Sequence, residues 1–104
     1  MIVEQRDYHV FTGKLNQVVR MYESEGIELQ REYLDDLLGV FTTDIGSLST
    51  YTSMWGYASY ADREERRARL QDDERWKDFL ARLQPLLHTQ QNRILIPTAF
   101  SPIR

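Results

Sequence analysis

Glu4, Arg6 and Tyr8 stand two residues apart near the start of the chain. Side chains alternate along a strand, so an extended backbone puts all three on one face. Ser53, Trp55 and Tyr57 repeat that spacing half a chain later. If the two strands are neighbours and their faces coincide, an ion pair and three aromatic rings converge over one patch of sheet. A Glu–Arg pair in aromatic surroundings is expensive to desolvate unless it is fully hydrogen-bonded. Two uses fit such a patch. In one, Arg6 holds an anionic or carbonyl group in a pocket walled by Tyr8, Trp55 and Tyr57. In the other, the pair satisfies the core or an interface and the rings are packing. The candidate ligand-binding residues are therefore Arg6, Tyr8, Trp55 and Tyr57.

Other chemistries find little support. The two histidines, His9 and His88, are far apart and show no metal-ligand spacing. There is no Cys, hence no disulfide, thiolate nucleophile or Cys-ligated zinc. Gly46-Ser47-Leu48-Ser49 reads as turn chemistry, and no nucleophile elbow or phosphate-binding glycine loop occurs. Asp35-Asp36 and Asp72-Asp73 read as turns and caps rather than acid/base pairs. No metal, no cofactor and no catalytic residue is read. The segment from Asp62 to Arg75 holds six acids and five arginines, a solvated helix face rather than a nucleic-acid stripe, which needs uncompensated positive charge. The whole chain agrees, with 13 Lys+Arg against 16 Asp+Glu and a net charge of -3. No nucleic-acid partner is expected.

The elements that must position these residues follow from periodicity. Ile2 to Phe11 reads as a strand. Leu15, Val18, Val19 and Tyr22 mark a helix face, with Thr12 as N-cap and Gly26 as stop. Ile27 to Leu34 reads as a second short helix. Leu37–Thr43 and Tyr51–Ala58 form a hairpin. Ala61 to Gln71 is a charged helix with Asp62–Arg66 and Glu65–Arg69 pairs. Trp76, Phe79, Leu80, Leu83, Leu86 and Leu87 mark an apolar helix face that Pro85 should kink or end. Gln91–Ile96 is the last strand. The order β-α-β-β-α-β predicts a ferredoxin-like α+β domain over residues 1–104, with both helical layers on one face of the sheet. Apolar residues of both parities in the strands (Leu37, Leu38, Val40, Phe41; Tyr51, Met54, Trp55, Tyr57; Ile94, Leu95, Ile96) predict an open face that a second copy covers. The alternative cover is the tail Thr98–Arg104. No targeting or membrane-inserting segment is read, and a cytoplasmic protein is expected.

With these elements in order, the sequence resembles the NIPSNAP family. Glu4-x-Arg6-x-Tyr8 with Gly13-Lys14, Phe41-Thr42-Thr43, Ile45-Gly46 and Leu48 resemble its first half. Trp55-x-Tyr57, Ala61-Asp62-Arg63, Trp76, Phe79 and Gln91-Asn92-Arg93 through Pro97 resemble the rest. The resemblance implies a dimeric α+β barrel of ferredoxin-like subunits and implies little about activity. The chain departs from the family pattern at Ser53, where His is expected, and at Ser49, where Asn is expected; Ser53 weakens any acid/base role for that position. The expected function is a homodimer that binds a small apolar or aromatic molecule between sheet and helices. The rivals are a cofactor-independent oxygenase, which needs His9 or Glu4 facing inward as a base, and a non-catalytic protein-interaction module.

Overall fold

Buried Glu4, Arg6, Tyr8 and Val10 alternate with half-buried Gln5, Asp7 and His9 along strand β1 (Ile2–Val10) in a computed structural model that describes residues 1–104. It is followed by α1 (Leu15–Met21), a π-helical turn (Tyr22–Gly26) and α2 (Ile27–Tyr33). The hairpin is β2 (Asp36–Thr42) and β3 (Thr50–Tyr57); then come α3 (Tyr60–Asp72), α4 (Glu74–Leu83), a 3-10 turn (Gln84–Leu86) and β4 (Leu87–Leu95). The sheet order is β2-β3-β1-β4 with every neighbour antiparallel. This is the ferredoxin-like α+β arrangement, with β1 and β3 in the centre. No helix is long and apolar enough to cross a membrane.

One core joins the sheet to the helices. Tyr8, Val10, Tyr51, Trp55 and Tyr57 of the sheet meet Val18, Tyr22, Leu29, Leu70, Trp76, Phe79 and Leu83. Tyr22 and Tyr51 stack with ring centroids 4.5 Å apart, and Phe79 meets Tyr22 edge-on at 5.1 Å. These are favourable aromatic geometries.

Several local expectations are corrected. Thr12 is not the cap: Lys14 occupies that position, without a side-chain cap bond. Gly26 does not stop the helix. Its φ of -64° is helical, and the chain runs through the π turn into α2. A Cβ there would lie 2.5 Å from Phe79 Cζ, so Gly26 serves close helix packing rather than a left-handed cap. The helix α4 ends just before Pro85, as its ring requires, but the last strand runs over Leu87–Leu95 rather than Gln91–Ile96. The helix cap predicted at Asp72-Asp73 belongs to Asp73, whose carboxylate accepts from the Arg75 backbone N–H at 2.8 Å. Asp73 also accepts from the Tyr33 hydroxyl at 2.6 Å, which ties α2 to the start of α4.

The open face also differs from expectation. Tyr51, Trp55 and Tyr57 all sit on the helix side, and a register shift between Leu37 and Gly39 absorbs Leu38. The centre of the open face is polar. Asp7 accepts from Thr52 Oγ1 at 2.7 Å and from Gln5 Nε2 at 3.2 Å, and His9 Nδ1 lies 3.1 Å from Thr50 Oγ1. Apolar residues gather at the margins. Val3, Met54 and Leu95 meet Pro97, Ser101 and Ile103 of the tail around a cleft of about 200 Å³. At the hairpin tip Phe41, Ile45 and Leu48 are exposed.

Candidate functional site

The β1–β3 register sets Glu4 opposite Trp55, Arg6 opposite Ser53 and Tyr8 opposite Tyr51. The two alternating faces therefore coincide, pointing toward the helices. Glu4 is fully buried. Its carboxylate accepts from Arg6 Nη1 at 3.0 Å, Arg63 Nη2 at 2.7 Å, Arg63 Nε at 3.1 Å and Asn92 Nδ2 at 3.1 Å. Four donors saturate a carboxylate's acceptor capacity. Burial alone pushes the Glu4 pKa up, but the Arg63 hydrogen bond and the charges of Arg6, Arg67 and Arg63 outweigh it and hold the group below its ordinary value.

Arg6 is 7% exposed. Besides Glu4 it donates from Nε to the Tyr8 hydroxyl at 2.9 Å, and its guanidinium carbon lies 5.6 Å from the Tyr8 ring centre. Burial lowers its pKa; Tyr8 and Glu4 more than restore it, so Arg6 remains a cation. Arg63 and Arg67 come from α3. They stand seven and three residues before Leu70, the one fully buried residue of that helix. That spacing is the signal sequence reasoning missed: in a charged helix, the positions sharing a face with a buried Leu point at the sheet. The Asp62–Arg66 pair forms at 2.8 Å on the same helix.

Beside this hub lies a pocket of about 240 Å³ between sheet and helices. Arg6 and Tyr8 form its floor; Arg67, Gln71, Trp76, Leu80 and Leu83 form its helical wall, and Leu87 and Gln90 close it from the β4 side. Trp55 and Tyr57 share the sheet face with Arg6 but lie outside the lining, buried in the core. The indole N–H of Trp76 and Nη1 of Arg67 are buried without a hydrogen-bond partner, as are the Trp55 indole N–H and the Tyr57 hydroxyl. Burial raises the Tyr57 pKa against the pull of Arg67. His9 points to the open face, and His88 sits on β4 with its ring 4.9 Å from Phe11. No His, Asp, Glu or Lys lines the pocket, and no cluster of His, Cys, Asp or Glu has metal-holding geometry.

Comparison with known proteins gives a consistent result. The family model described as NIPSNAP matches residues 3–102. A crystal structure of a NIPSNAP family protein from Agrobacterium tumefaciens is 48% identical, covers 99% of this chain and 98% of that one, and superposes with a TM-score of 0.97. Protein NipSnap homolog 1 of Danio rerio is 28% identical over 103 residues, 99% of this chain and 36% of the relative. Protein NipSnap of Drosophila melanogaster is 32% identical over 72 residues, 69% of this chain and 26% of the relative. The chain thus spans about a quarter to a third of the length of these two curated relatives. An antibiotic biosynthesis monooxygenase shares the fold alone, with 9% identity and a TM-score of 0.66 over 94% of this chain and 99% of that one.

Proposed function

The chain belongs to the NIPSNAP family, and from that premise we propose that it is a homodimeric binding protein for a small apolar or aromatic molecule. One observation carries the reading: the pocket of about 240 Å³ between β1, β4 and the α3–α4 layer, with Arg6 and Tyr8 at its floor. Pockets of this kind combine apolar walls with a few placed polar groups, and Trp76, Leu80 and Leu83 supply the walls here. Arg6 and Tyr8 contact the ligand in this reading. Trp55 and Tyr57 back them from β3 and keep the hub dry. The reading includes one functional unit over residues 1–104 and a cytoplasmic location, with which a Cys-free composition is compatible.

The homodimer is supported by the margins of the open face. Ile45 is 91% exposed and Phe100 86%, and such side chains at the rim of a sheet suit a second copy whose sheet packs on the first. Binding is favoured over proton-transfer catalysis. Glu4 is saturated by donors and held as a poor base, while His9 faces away from the pocket. A native mass spectrum of freshly purified protein tests both parts. The expected result is twice 12.4 kDa with a small adduct released on activation. A monomer mass overturns the dimer. An adduct-free spectrum, together with Trp fluorescence unmoved by a panel of small apolar and aromatic compounds, overturns the binding reading and favours the interaction module.

A further inference from the structure

Resting on the pocket reading above, we infer that the ligand is a small organic anion, a carboxylate whose head group meets Arg67 and the Trp76 indole N–H while its apolar body lies against Leu80, Leu83 and Leu87. Charge is the first argument. Two guanidinium groups line the pocket and no acid does. The one nearby carboxylate, Glu4, already accepts from Arg6, Arg63 and Asn92. Arg6, Arg63 and Arg67 all act on that single negative charge, so the hub keeps a surplus of positive charge in a chain whose net charge is -3.

Hydrogen bonding is the second argument. Arginine and tryptophan side chains can only donate. Arg67 takes part in no ion pair, and its buried Nη1 completes no hydrogen bond although the Tyr57 hydroxyl lies beside the guanidinium; the indole N–H of Trp76, a residue only 2% exposed, is unpartnered as well. Native proteins rarely leave buried donors unmet. An acceptor-only group with negative charge meets both, and a planar carboxylate matches the guanidinium fork.

Size is the third. The pocket is smaller than the ~300–1,000 Å³ of drug-sized sites. At the ~30 Å³ that a water occupies in the liquid, it has the volume of roughly eight waters. A short aliphatic or single-ring carboxylate fits, and a nucleotide does not.

The test uses benzoate, benzamide of the same shape without the charge, and inorganic phosphate. The chain has two tryptophans, so two-dimensional ¹H–¹⁵N spectra of the full chain show two indole N–H signals. Trp76 lines the pocket and Trp55 does not, which makes Trp55 an internal reference. Benzoate is expected to shift the Trp76 signal and leave Trp55 in place, with benzamide about tenfold or more weaker, the scale of a charge-assisted hydrogen bond. Arg67→Gln should weaken benzoate by a similar factor and leave benzamide unchanged, with the Trp55 signal reporting an intact fold; Arg67→Lys should lie between. Equal affinity for benzoate and benzamide overturns the anion while the pocket reading stands. Phosphate binding as tightly as benzoate overturns the apolar body. A Trp76 signal unmoved by every compound overturns both the anion and the pocket.

Discussion

Glu4 is the residue on which the most other groups depend. It joins β1 to α3 through Arg63 and to β4 through Asn92, and it holds Arg6 at the pocket floor. Glu4→Gln leaves the three arginines without their shared counter-charge. It should destabilise by about 3–5 kcal/mol at neutral pH, the scale for removing one partner of a buried pair. The pH dependence has a definite sign. A carboxyl whose folded pKa lies below its ordinary value of 4.5 stabilises fully above that value, and the contribution disappears as pH falls through the folded pKa. Denaturant midpoints at pH 7 and about pH 3 should therefore drop further in the wild type than in Glu4→Gln. Equal drops would remove Glu4 from the account, because the other carboxylates with lowered pKa, such as Asp62 and Glu25, are common to both proteins. Alternation alone makes Glu4, Arg6 and Tyr8 legible as one face. Asn92 was not legible, since only the antiparallel register of β4 sets it opposite Arg6. Ser49 carries a φ of +56°. Asn tolerates that region better than Ser, so Ser49→Asn should raise stability by up to ~1 kcal/mol, readable as a higher melting temperature.

Helix packing explains where periodicity misleads. A Gly after a helical run looks like a C-terminal cap, but Gly26 is spent on proximity to Phe79 and Tyr22. Helix propensity predicts that Gly26→Ala stabilises by up to ~1 kcal/mol. The ring 2.5 Å from the new Cβ reverses that sign, and overpacking should destabilise by ~1–3 kcal/mol. Chemical denaturation of the variant decides between them; a gain in stability would mean that Phe79 has room to move. Phe79 itself is fully buried between Trp76, Tyr22 and Gly26, and Phe79→Ala should destabilise by ~3–5 kcal/mol. The apolar face of α4 was legible because Trp76, Phe79, Leu80 and Leu83 repeat at helical spacing. Its end was legible from Pro85, but the start of β4 at Leu87 was not, because Leu86 and Leu87 continue the same spacing past Pro85 and still pack on the core.

Assembly is a property of the molecule as a whole, and the sequence pattern reaches it only in part. Mixed parity in the strands reads as two apolar faces, yet the open face is polar at Gln5, Asp7, Thr50 and Thr52 and apolar only at the hairpin tip and where Val3, Met54 and Leu95 meet the tail. A register shift at Leu38 and the end of β4 at Leu95 account for the discrepancy: both break the simple alternation that the pattern assumes. In the proposed homodimer the contact therefore falls to the rim. Ile45→Asp changes a side chain that touches almost nothing within its own chain, so monomer stability should move by less than ~0.5 kcal/mol. Sedimentation at micromolar concentration should nonetheless shift from twice 12.4 kDa toward the single-chain mass. An unchanged sedimentation coefficient would exclude the hairpin tip from the interface.

The central place of β1 also dictates an order of events during synthesis. β1 is made before either of its neighbours, β3 and β4, and must wait for both. Its bonds to α3 span 59 residues and those to β4 span 88. Pairings this distant must close large loops before any contact rewards them, which slows folding. A nascent chain that has not yet produced Asn92 carries Glu4 and its arginines without the last donor, on a strand with one edge unpaired. At ~5–20 residues per second the ribosome keeps that strand without its final neighbour for several seconds, so the sheet should close only once β4 has emerged.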